Sequence, residues 1–272
     1  MIAAVAGAAA GSAAVGYRLI EKTLDRQIEA FRNNAAVKRE IDYVRGKLGG
    51  IDSVDELVGD FRMMRFVMSA FGLDSQVNAK ALIKRVLAEG WRDNGAMANK
   101  LVDPRYRELA RAFDFAESGP AKLKTAAFAD SLENRFVTNE FEKAAGASNP
   151  ALRYALYFKR KAASITSWYQ VLGDRPLFEV VRTVLGVQTL GPATDLDRQV
   201  KFLETRIGLA NLKKGDFADR FVDRYLAAYD QRNGPAGLSG AAAILAAGTN
   251  GLANAGRTGF AAETTFALLG VR

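Results

Sequence analysis

IDSVDELVGDFRMMRFVMSAFGLD, from Ile51 to Asp74, has a second version in the same chain: ITSWYQVLGDRPLFEVVRTVLGVQ, from Ile165 to Gln188, at a constant offset of 114 residues. Ile51 pairs with Ile165, Ser53 with Ser167, Gly59-Asp60 with Gly173-Asp174, Val67 with Val181 and Gly72 with Gly186. Ser53-Val54-Asp55-Glu56 and Ser167-Trp168-Tyr169-Gln170 both fit the capping box, in which a serine hydroxyl accepts from an orphan backbone N–H and the Glu or Gln three residues on reaches back. Each therefore opens a short helix, which Gly59 or Gly173 interrupts. Asp60 and Asp174 then stand where a short carboxylate caps a new helix, and Pro176 fits only a first turn. Met64, Val67, Met68 and Phe71 form one apolar face of that helix, and Val180, Val181, Val184 and Leu185 form the face in the second version. Gly72 and Gly186, each followed by an apolar residue, read as Schellman endings. The Gly-Asp pair could be a ligand-binding turn, but its capping logic reads as a helix–helix corner.

Outward from this unit, the fold class expected is all-α, built from two homologous multi-helix repeats between an Ala/Gly-rich N-terminal leader and an Ala/Gly-rich C-terminal tail. The leader spans 1–17. It has no positive n-region ahead of its apolar stretch, as a secretory signal requires, and Ala with Gly is a weak substitute for a membrane span. A flexible segment is expected there, with membrane contact through 1–17 left open. The first repeat covers 18–116. It opens on an amphipathic helix carrying Ile20, Leu24, Ile28 and Phe31, and continues with Ile41, Val44 and Leu48 up to Gly49-Gly50. Leu82, Ile83, Val86 and Leu87 form a helix ended by Gly90. Tyr106, Leu109 and Phe113 extend a later apolar face.

Ser118-Gly119-Pro120 breaks the chain. The second repeat, 117–232, begins with a long helix from Ala121 to Ala145. MANKLVD at Met97–Asp103 has its counterpart in FADRFVD at Phe217–Asp223, now at an offset of 120, the drift being absorbed by a longer loop after Gly186. Asn233-Gly234-Pro235 ends the repeat, and 233–272 is the tail. Its Phe266, Leu268 and Leu269 are candidate partner-docking residues.

Composition narrows the chemistry. The 272 residues contain no cysteine and no histidine. Thiol catalysis and disulfides are excluded, and the usual general base and commonest metal ligand are missing. No phosphate-binding loop, nucleophile elbow or dinucleotide fingerprint occurs. Asp52, Asp55, Glu56 and Asp60 form an acidic cluster without the ligand order of a calcium loop, and the second version replaces three of the four. No catalytic, cofactor or metal residues are assigned, and the chain is expected not to be an enzyme. The net charge of +8 and pI near 9.7 suit nucleic acid or an anionic membrane. Basic residues are interleaved with acidic ones, as on solvated helix faces. Arg105, Arg107 and Arg111, with Tyr106 and Phe113, make a basic and aromatic helix that a nucleic-acid binder could use. At helical spacing its aromatics belong in the core and its arginines in water. Trp91 and Trp168 stand singly, with no cage readable around them.

Phe31 to Leu48, DFRMMRFVMSAFGLD, NAKALIKRVLAEG at Asn78–Gly90 and LVDPRYRELARAF at Leu101–Phe113 together resemble the domain-of-unknown-function family encoded in alphaproteobacterial flagellar gene clusters. The resemblance covers roughly 18–232, and members carry the domain more than once. It implies a non-enzymatic flagellum-associated structural or assembly protein, with flagellar proteins as partners, located at the flagellum or in the cytoplasm, with export through the flagellar apparatus open. No small-molecule substrate is expected. The alternative is a basic helical nucleic-acid-binding protein. Because the matching residues are corner and packing residues, the resemblance carries over no catalytic position.

Overall fold

The computed structural model describes residues 12–187 and 195–233, and among them every regular element is helical. In chain order the α-helices are α1 (Ala13–Glu21), α2 (Leu24–Arg32), α3 (Ala35–Leu48), α4 (Val54–Gly59), α5 (Phe61–Ala70), α6 (Lys80–Glu89), α7 (Met97–Lys100), α8 (Pro104–Phe113), α9 (Phe115–Ser118), α10 (Ala126–Ser148), α11 (Pro150–Lys161), α12 (Trp168–Gly173), α13 (Arg175–Leu185), α14 (Leu196–Arg206), α15 (Leu209–Leu212) and α16 (Gly215–Asn233). No helix among the described residues is long and apolar enough to cross a membrane.

Two compact units divide these helices. A central unit takes 24–144 and 166–178; a terminal unit takes the described residues of 12–23, 145–165 and 179–233. Their ranges interleave along the chain and do not follow the boundary at 116/117 suggested by the copied segment.

In the central unit the apolar faces read from sequence meet. Ile41, Val44 and Leu48 from α3, Met64, Val67 and Met68 from α5, Ile83, Val86 and Leu87 from α6, and Leu109 and Phe113 from α8 share one core. Phe66 stacks on Phe136 with ring centroids 3.8 Å apart, and Phe113 meets Phe128 edge-on at 5.0 Å. Burying such side chains contributes roughly 1.5–3 kcal/mol each. Buried Glu133 on α10 is neutralised from two sides, by Arg32 and by Arg45 at 2.6 Å. A carboxylate taken out of water requires this pairing.

In the terminal unit α1, α11 and α16 pack together, and Phe158 stacks on Phe221 at 5.1 Å. Residues 12–17, assigned to the leader by composition, are folded here: Ala13, Ala14 and Tyr17 are buried in α1. The reason is a cap that local composition does not show. Ser12 Oγ accepts from the Val15 N–H at 3.3 Å and donates to Asp230 Oδ2 at 2.7 Å. The N–H groups of Ala13 and Ala14 donate to the same carboxylate at 2.7 and 3.1 Å. Residues 1–11 and the tail with Phe266, Leu268 and Leu269 lie outside the described residues.

Two expected helices also begin or break elsewhere. The amphipathic helix expected across Ile20 and Leu24 is interrupted at Lys22–Thr23, where the Thr23 hydroxyl donates to the Leu19 carbonyl at 2.9 Å and its N–H turns back to Ile20. A threonine hydroxyl bonding back to the i−4 carbonyl in this way weakens and bends a helix. The long helix expected from Ala121 starts instead at Ala126, because Thr125 caps it by accepting from the Phe128 N–H at 3.2 Å.

Candidate functional site

The corner residues occupy the positions their chemistry demands. Ser53 Oγ accepts from the Glu56 N–H at 3.2 Å, and Ser167 Oγ accepts from the Gln170 N–H at 3.4 Å. The return bonds reach one residue beyond the cap: the Asp52 N–H donates to Glu56 at 2.9 Å, and the Thr166 N–H donates to Gln170 at 2.8 Å. Gly72 (φ 70°) and Gly186 (φ 67°) both end their helices in the left-handed region that favours glycine. Leu73 N–H donates to Met68 O at 2.8 Å, and Val187 N–H donates to Arg182 O at 3.1 Å. These are the Schellman bonds. Ser53, Gly59, Asp60, Gly72, Ser167, Gly173 and Asp174 fall in the central unit, and Gly186 falls in the terminal one. In the second version Val180 and Val181 are buried, whereas Val184 and Leu185 are half-buried.

The acidic cluster disperses into separate structural tasks. Asp52 pairs with Lys124 at 2.8 Å and Asp55 with Lys84 at 2.6 Å, while Glu56 serves its capping box. Asp60 caps α5 through the N–H groups of Arg62 and Met63, and takes the Tyr43 hydroxyl at 2.6 Å and the Lys47 ammonium at 3.0 Å. Burial alone would raise its pKa, but the Met63 N–H, the Tyr43 hydroxyl and Lys47 outweigh it and hold the carboxyl at about 2.

Ser69 resembles a nucleophile paired with a lysine, since Lys143 Nζ lies 3.3 Å from its hydroxyl. The surroundings assign it another task. The hydroxyl donates to Glu140, and the Lys143 ammonium also pairs with Glu140 and with Asp74 at 2.8 Å. A serine nucleophile needs a neighbour that takes its proton and an approach for substrate. Ser69 instead is buried and fastens α5 to α10.

The arginine helix divides. Tyr106 and Phe113 are in the core, as their spacing requires. Arg105 folds back on Asp103 at 2.6 Å and donates to Gly72 O at 2.6 Å, tying α8 to the first corner. Arg107 and Arg111, one turn apart, are exposed and lie over Trp91, with guanidinium carbons 5.9 and 5.3 Å from the ring centroid. Arg92 adds a third guanidinium at 5.0 Å. The cage not readable around Trp91 is therefore built of cations. Its only sequence signal is that Trp91 and α8 both follow helix-ending breaks, and their meeting is a tertiary event. The Trp91 indole N–H donates to Asp114 at 3.1 Å, and its carbonyl accepts from Asn99 at 2.8 Å. Asp114 (φ 55°) is the one non-glycine residue in the left-handed region among the described residues. Aspartate tolerates that region better than most side chains. This Trp–Arg platform is the exposed, preorganised polar feature of the central unit.

Among known proteins, the family described as "Protein of unknown function (DUF1217)" matches residues 70–218. The crystal structure of Protein AGR_C_984 from Agrobacterium tumefaciens is similar with a TM-score of 0.74 and 34% sequence identity, over 80% of this chain and 92% of that one. Comparison with curated proteins finds no match.

Proposed function

The chain belongs to the DUF1217 family of proteins of unknown function, and from that premise we propose that it is a non-enzymatic, flagellum-associated structural or assembly protein acting through helical protein–protein surfaces. The observation that carries this reading is the use of its polar side chains. Ser53, Asp60, Ser69, Ser167 and the acidic cluster hold helix ends and ion pairs, where a catalytic group would be aimed at a substrate. The resemblance to a family encoded in flagellar gene clusters supplies the cellular setting, with flagellar proteins as partners and the flagellum or the cytoplasm as location. The matching corners at Ser53–Leu73 and Ser167–Val187 support descent from one copied segment. Within this reading, Phe266, Leu268 and Leu269 of the tail are partner-docking residues.

Deleting the gene tests the proposal. Reduced swimming or shortened filaments, restored by the full-length chain, are expected; normal motility with normal filaments overturns it. The second reading, nucleic-acid binding, draws on the net charge of +8 and on the exposed Arg107 and Arg111 of α8. It predicts retention of nucleic acid that weakens steeply with salt.

A further inference from the structure

We infer that the Trp91 platform is a docking site for an acidic segment of a partner protein, received by Arg107 and Arg111. The inference rests on the protein–protein reading above and names the partner's chemistry. Three guanidinium groups crowd one half-buried indole. Arg92 has Glu117 at 3.8 Å, but no carboxylate pairs with Arg107 or Arg111 among the described residues. Cations gathered around one ring without carboxylate partners favour the approach of an anion. Lys122 adds to the cation count, its ammonium donating to the Arg111 carbonyl at 3.3 Å.

The indole is anchored before any partner arrives. Asp114 fixes the indole from one side, Asn99 holds the Trp91 carbonyl, and the arginines stand on a helix whose other face is core. Contact with the ring restricts each guanidinium, so less side-chain entropy is lost when it grips a carboxylate. Arg107 and Arg111 are four residues apart, about 6 Å along the axis. Carboxylates four residues apart on a partner helix, or two apart on an extended segment at about 3.3 Å per residue, match that spacing.

A nucleic acid fits less well. Single-stranded binders offer bare aromatic faces on which bases stack, and here guanidinium groups already lie over the ring.

The test uses the full chain, a fluorescein-labelled glutamate oligomer and an oligothymidylate of equal charge, read by anisotropy and by Trp91 emission. Trp91→Phe isolates the signal of Trp168. The glutamate oligomer is expected to bind more tightly than the oligothymidylate and to change Trp91 emission saturably. Arg107→Gln/Arg111→Gln should weaken it about ten-fold or more, because two charge-assisted contacts are lost. Lys213→Gln/Lys214→Gln removes the same charge elsewhere and should leave affinity within about two-fold, as expected for sites without shared partners. Tighter oligothymidylate binding through the same arginines overturns the inference in favour of nucleic acid. Absence of binding, or equal weakening by both double variants, overturns it outright. Swimming is not part of this readout, so a motile deletion strain refutes the flagellar reading and leaves the binding result standing.

Discussion

Asp60 carries two duties on one carboxylate. One oxygen caps α5, and the other anchors Tyr43 and Lys47, while the Arg62 guanidinium covers the Tyr43 ring at 4.0 Å. Its folded pKa of about 2 lies below the ordinary 3.8. A depressed folded value means that the ionised group stabilises the fold above about pH 4 and loses that contribution as pH falls from about 4 to about 2. Asp60→Asn should therefore lower stability at pH 7, and the gap to the parent should close by pH 2 to 3, as read from urea midpoints along a pH series. Asp60→Ala at pH 7 should cost about 1–2 kcal/mol, the usual loss for an aspartate cap. The cap was legible because it depends on residues two and three positions away. Tyr43 and Lys47 were not, because they arrive from α3, and no local pattern records which helix folds back onto a corner.

At the scale of the element, one motif meets two different surroundings. Gly59 and Gly173 occupy equivalent places at the ends of α4 and α12. A Cβ on Gly59 would touch nothing within 4 Å, whereas a Cβ on Gly173 would collide with the Val102 carbonyl. Gly59→Ala should be neutral or stabilising by up to about 1 kcal/mol, since alanine has the better helix propensity. Gly173→Ala should destabilise by about 1–3 kcal/mol, because backbone cannot yield as a flexible side chain does. Thermal melts of the two variants side by side check the pair, and equal shifts would refute the argument. Helix starts, corners and apolar faces follow from capping chemistry and spacing, so Ser53, Ser167, Gly72 and Gly186 were readable. The close approach of Val102 to Gly173, the cations around Trp91 and the divided arginine helix depend on packing between segments distant in sequence. They left no periodic mark.

Across the whole molecule, composition pointed to helix and away from thiol and imidazole chemistry, but it misjudged where folding begins. Ala and Gly near the N-terminus read as a loose leader because neither buries much surface alone. Asp230, 218 residues from Ser12, changes that balance. Its carboxylate, almost wholly buried, accepts from the Ser12 hydroxyl and from the N–H groups of Ala13 and Ala14, so α16 supplies the cap of α1. Small alanine side chains then let α1 lie close against its neighbours, with Tyr17 and Ile20 filling the remaining space. Asp230→Ala removes all three bonds and strands two buried backbone donors at a helix N-terminus, where a negative charge is also favoured by the helix dipole. The expected cost is about 2–4 kcal/mol, above that of an exposed cap because the donors are cut off from water. Asp230→Asn retains one acceptor oxygen and should fall between the parent and the alanine variant. Urea denaturation gives the magnitude, and amide exchange places it: faster exchange at Val15 and Gly16 is expected first, since their bonds to Ser12 complete the first turn. Unchanged exchange there, with an unchanged urea midpoint, would show that α1 holds without Asp230.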